Sequence, residues 1–91
     1  MHVNITCEDG VLVCRDLFNT VKFKSTRVVV NDVVELKPFR DKILVKTGTS
    51  HYLEKTVTLC VWYIDEFADR VELRTYNCRK QSIHFNGDLY D

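Results

Sequence analysis

Four cysteines (Cys7, Cys14, Cys60 and Cys78) and three histidines (His2, His51 and His84) carry the most versatile chemistry in this chain. A structural zinc site usually draws two thiolates from one tight turn, with the cysteines only a few residues apart. Here the closest pair, Cys7 and Cys14, has six residues between its members. No metal or other cofactor is therefore expected. A Cys7–Cys14 bridge is also disfavoured, because the two would be diagonal neighbours across a hairpin, too far apart for a relaxed disulfide. The cysteines are read as small buried hydrophobes. Cys78 is followed by Arg79 and Lys80, neighbours that favour a thiolate, and His84 is the nearest base. No third group to orient that base is evident, so the segment reads as a basic turn containing a cysteine.

The histidines are scattered, with no H-x-x-x-H pattern. Three isolated glycines cannot build a phosphate-cradling loop, and Ser25, Ser50 and Ser82 lack the strand-to-helix turn that exposes a nucleophile. Asp65, Glu66, Asp69 and Glu72 cluster as a solvated acidic turn rather than a divalent-ion site. The chain is accordingly read as non-enzymatic.

Two patterns suit macromolecular binding instead. Residues 65–72 hold four acids and one base, next to Trp62, Tyr63 and Phe67. Aromatic anchors with a charged rim make a protein-binding face, here Trp62, Tyr63, Asp65, Glu66, Phe67 and Asp69. The alternative is a barrel for single-stranded nucleic acid. It would place the cations Lys22, Lys24, Arg74, Arg79 and Lys80 on phosphates, with Tyr76 as a stacking ring. Thirteen basic residues balance thirteen acidic ones, so no global field favours an anionic partner. A third alternative is a homo-oligomer built by pairing exposed edge strands.

The elements that must position these residues are mostly strands. Thr56–Ile64, TVTLCVWYI, is the densest apolar run, rich in β-branched and aromatic residues. As a strand it puts Val57, Leu59, Val61 and Tyr63 on one face. A hairpin is expected around Asp9-Gly10, pairing Cys7 with Leu12 and Ile5 with Cys14. Its inner face would be Val3, Ile5, Cys7, Leu12 and Cys14. Further strands are read over 17–24, in a hairpin turning at Asn31-Asp32, over 42–46, over 70–77 and at Ile83–Phe85. Pro38 is read as a strand terminator.

The expectation is one globular domain spanning 1–91 and mainly β. It would hold about seven or eight short antiparallel strands in a barrel or sandwich, with a short helical turn near 64–70. The alternative is an α+β fold with a helix over about 51–69 packed on an antiparallel sheet. The longest apolar run is far short of a membrane span, and MHVNITCEDG does not read as a secretion signal. A soluble, cytoplasmic protein is expected, and the Asn4-Ile5-Thr6 acceptor pattern is taken as chance. By elimination, the chain acts through its surface on another protein, as an inhibitor or regulator. That profile is shared by the small proteins viruses direct against host enzymes.

Overall fold

Asp9 and Gly10 both adopt positive φ, 54° and 77°, as a two-residue type I′ turn requires. The turn joins β1 (His2–Glu8) to β2 (Val11–Asp16) and sets Cys7 opposite Leu12 and Ile5 opposite Cys14, the register expected from sequence. The computed structural model describes residues 1–76 and 88–89. The strand expected at Ile83–Phe85, together with Cys78, Arg79, Lys80 and His84, lies outside the described residues.

On the outer face of this hairpin Arg15 forks onto the Glu8 carboxylate, and Thr6 also donates to it. These bonds hold the Glu8 pKa at about 2. A carboxyl depressed in the folded state contributes stability above its unfolded pKa, and that contribution is lost as pH falls through the folded value. The NMR titration midpoint of Glu8 is expected at about 2, rising to the ordinary carboxylate range in Arg15→Ala. An unshifted midpoint in that variant would remove the pair as the cause.

Leu17 does not continue a strand as expected. The Asp16 carboxylate accepts the amides of Phe18 and Thr20, at 2.9 and 3.0 Å, and folds 17–20 into a turn. β3 (Val21–Ser25) follows, with a bulge at Lys22. The Asn31-Asp32 hairpin forms between β4 (Val28–Val30) and β5 (Val34–Phe39), both turn residues at positive φ. Val33, read as strand, belongs instead to the turn and is 71% exposed. Pro38 does not end β5; it pairs opposite Ile43, beyond the reach of the short β4. Among the described residues that part of β5 pairs with a strand on one side only, where a missing N–H is tolerated.

β6 (Lys42–Thr47) turns through Gly48 into β7 (Ser50–Glu54), a strand the apolar pattern did not reveal. β8 (Thr56–Glu66) is a strand throughout, so the helix considered for 51–69 does not form. The helical turn expected near 64–70 is also replaced. Ile64–Glu66 stay in β8, and the Phe67 amide donates to the Arg70 carbonyl at 2.8 Å, closing a hairpin to β9 (Val71–Thr75). β-Branched and aromatic side chains gain more on a pleated, half-buried surface than in a helix. β10 (Asp88–Leu89) pairs with β7.

Among the described residues ten strands form one sheet in the order β10-β7-β6-β5-β4-β9-β8-β1-β2-β3, and there is no helix. β4 and β9 are the parallel pair; the other ladders are antiparallel. The sheet folds over so that β1 and β2 pack across β5 and β6, an all-β, open barrel-like sandwich. Its core includes Ile5, Leu12, Leu36, Ile43, Leu59 and Leu73, each at most 1% exposed. Among the described residues, no helix is long and apolar enough to cross a membrane.

Candidate functional site

β8 changes partners along its length. Thr56–Cys60 pair with β1, and Val61 exchanges both backbone hydrogen bonds with Met1 at 2.7 Å. From Val61 onward β8 pairs with β9, and the register slips by one residue between Val61 and Tyr63. Trp62 is the extra residue of a β-bulge, the device by which a strand turns a corner between packed sheets.

The bulge decides the chemistry of this face. Strict alternation places Tyr63 inward with Val57, Leu59 and Val61, but the slip reverses it. Ile64 takes the inward position, packed against the core, while Trp62 and Tyr63 are 66% and 42% exposed. Their ring centroids lie 5.8 Å apart at 47°. The Tyr63 hydroxyl donates to Asp65 at 2.9 Å, and this bond pushes the phenol pKa up.

The acidic residues continue from this pair. Asp65 is half-buried, whereas Glu66 and Asp69 are exposed. Arg70 lies 4.1 Å from the centroid of Phe67 and pairs with Asp69 and Glu72 at 3.1 and 3.0 Å. Its charge is held within the turn by two acids and a ring. The structure thus brings Trp62, Tyr63, Asp65, Glu66, Phe67 and Asp69 together on one strand and its turn.

The basic set is arranged differently. Lys22 and Lys24 sit on β3 at the sheet edge, separated from Arg74 on β9 by β2, β1 and β8. Four strand spacings amount to about 19 Å along the sheet. Arg74 is ion-paired with Asp32, and the Tyr76 hydroxyl accepts from the Met1 amino group at 3.3 Å. Arg79 and Lys80 lie outside the described residues. On β3, the two lysines and the bulge match the usual protection of an edge strand.

Cys7 and Cys14 are free, and Cys7 donates to the Arg40 carbonyl at 3.5 Å. Burial pushes the Cys14 thiol up to about 12. Cys60 is disulfide-bonded, which corrects its reading as a free buried thiol. In the native protein Cys7 should alkylate well before Cys14, because nucleophilicity follows thiolate content and access. Under denaturing, non-reducing conditions Cys60 should stay unlabelled until a reductant is added. Labelling of Cys60 without reductant would contradict the disulfide. His2 is exposed at the start of β1, and His51 is half-buried on β7. No cluster of three or more potential metal ligands occurs among the described residues.

Sequence reasoning missed Leu17 and Phe18, which the Asp16 turn holds 77% and 88% exposed. An Asp two residues before a backbone amide that needs a partner was the available signal. With Met1, His2 and Asp16 they line an open concavity of about 300 Å³. Compared with protein families, curated proteins and solved structures, the chain matches none.

Proposed function

We propose that this domain is a non-enzymatic binding module that engages another protein through the outer face of β8 and the β8–β9 turn. The observation that carries this reading is the bulge at Trp62. It turns Tyr63 to solvent next to the exposed Trp62, where Tyr63 bonds Asp65. Large, rigid aromatic side chains with few rotamers to freeze are the usual anchors of a protein interface, and a charged rim sets orientation and partner choice. Inhibition or regulation of the partner is the outcome such a face would serve.

The single-stranded nucleic-acid reading has less support, because Lys22 and Lys24 share no patch with Arg74. A homo-oligomer is separable by mass in solution. The cytoplasmic location expected from sequence stands against the Cys60 disulfide, since such bonds persist mainly in oxidising compartments. The binding reading holds in either compartment.

The test places a photo-reactive benzoylphenylalanine at Trp62 or, as control, at Lys22, and irradiates the domain in native extract with and without nuclease. A discrete protein adduct from position 62, unchanged by nuclease and reduced in a D65N/E66Q/D69N background, is expected. Adducts from position 22 alone, abolished by nuclease, would reverse the preference.

A further inference from the structure

The disulfide at Cys60 and the free thiols of Cys7 and Cys14 bear together on the compartment in which this chain folds. Disulfides form and persist in oxidising compartments and are rare where glutathione keeps thiols reduced. Free cysteines survive oxidising conditions when no second thiol is within bridging distance and access is poor. Cys14 is buried, and Cys7 is half-buried with its thiol donating to the Arg40 carbonyl. The hairpin register sets Cys7 opposite Leu12 and Cys14 opposite Ile5, so the two are diagonal neighbours that a relaxed bridge does not span. Two unbridged cysteines are therefore compatible with the oxidising conditions that the Cys60 bond indicates.

Asn4-Ile5-Thr6 gains meaning in that setting. It is the one Asn-x-Ser/Thr acceptor in the chain, and its middle residue is not proline. Read as chance, the pattern depends on a cytoplasmic location, and the disulfide stands against that location.

The fold gives the acceptor a place on the surface. β1 holds it extended, with Asn4 and Thr6 on the outer face and Ile5, 0% exposed, in the core. A register one residue different would turn Asn4 inward, where no glycan could fit. Across the two ladders Asn4 stands opposite Arg15 on β2 and Thr58 on β8, and Thr58 is exposed. The Arg15 charge is taken up by Glu8, so a sugar laid beside Asn4 meets a hydroxyl and a neutralised ion pair.

The Asn4 amide nitrogen donates to the Thr58 hydroxyl at 3.0 Å, at the surface. A primary carboxamide has two N–H groups. This bond uses one of them and leaves the other to be replaced by a sugar. A glycosylated Asn4 therefore keeps its bond to Thr58.

We propose that Asn4 is an N-glycosylation site, occupied in an oxidising secretory compartment. Asn4 Nδ2 would form a bond to the anomeric carbon of an oligosaccharide carried on a lipid pyrophosphate. The carbon–oxygen bond to the pyrophosphate breaks, the lipid pyrophosphate leaves with the electron pair, and one amide proton is released. The Thr6 hydroxyl completes the acceptor that the transferase recognises. Because residues 3–6 pair with β2 and β8 at once, transfer precedes strand pairing. What the fold then supplies is an outward position for the finished glycan. The inference goes beyond the reading of β8 as a protein interface and does not rest on it.

The test uses the full chain isolated from the cells that make it, with free thiols alkylated at lysis. Peptide:N-glycosidase in heavy-oxygen water converts a glycan-bearing asparagine to aspartate carrying the heavy label. The tryptic fragment ending at Arg15 should hold labelled aspartate at position 4, and the intact chain should run smaller after the enzyme. A sample kept in the same water without enzyme should show no label at that position. Asn4→Gln and Thr6→Ala, expressed in the same cells, should each abolish the mobility shift, whereas Thr6→Ser should keep it. Thr58→Ala removes the hydrogen bond but not the acceptor, and should keep the shift as well.

Unmodified asparagine at position 4 of the wild-type fragment would overturn the proposal, whether Cys60 is found bonded or reduced. That result needs no variant to fold. A mobility shift that survives Asn4→Gln would put the sugar elsewhere and overturn the assignment to Asn4.

Discussion

Leu59→Ala is expected to lower the free energy of unfolding by about 2–5 kcal/mol, the range for emptying a well-packed core site. Leu59 is 1% exposed in the middle of β8, opposite Val3 in the ladder to β1. Truncation removes transfer free energy and also leaves a cavity that the close-packed surroundings collapse only partly to fill. For a domain whose total stability is on the order of 5–15 kcal/mol, that is a large share. Trp62 stands three residues further along the same strand and is 66% exposed. Trp62→Ala should change stability by no more than about 0.5 kcal/mol, as surface substitutions generally do. Denaturant titration of both variants checks the contrast, with the midpoint moving and the slope unchanged. A larger loss at Trp62 than at Leu59 would mean that the indole is not on the solvent side of β8.

The second large effect is expected at Asn31. Its backbone holds φ at 53°, a conformation that asparagine tolerates better than other non-glycine residues. The side chain then clamps the β4–β5 turn to the end of β9. Its amide nitrogen donates to the Thr75 hydroxyl at 2.6 Å, and its amide oxygen accepts the Thr75 N–H at 2.9 Å. Asn31→Ala loses both bonds at about 1 kcal/mol each and adds a left-handed penalty of about 1 kcal/mol, so a total near 3 kcal/mol is expected. Asn31→Gly separates the contributions. It relieves the backbone penalty but not the lost bonds, and should recover about 1 kcal/mol relative to alanine. Equal stability of the two variants would show that the left-handed conformation is not a source of the loss.

Asn31 also shows where the sequence stops being legible. As half of an Asn-Asp pair between two valine runs it reads plainly as a turn residue. Nothing nearby announces its partner Thr75, because the two are 44 positions apart. The first hairpin is the opposite case. Asp9-Gly10 and the alternation on either side determine its turn, register and buried face, all within local reach. The strand Ser50–Glu54 was hidden because its residues SHYLE show no clean two-residue alternation, and four of the five are only half-buried.

The candidate site divides along the same line. That Trp62, Tyr63, Asp65, Glu66, Phe67 and Asp69 lie within reach of one another follows from their spacing, as does the excess of acid among them. Composition and alternation likewise determined that the chain is mainly β, because β-branched and aromatic residues stabilise a pleated sheet wherever they occur. Only the tertiary structure decided which way Tyr63 faces. The bulge at Trp62 arises where β8 leaves β1 for β9, and a turn from one packed layer to the other needs an extra residue that no local pattern encodes.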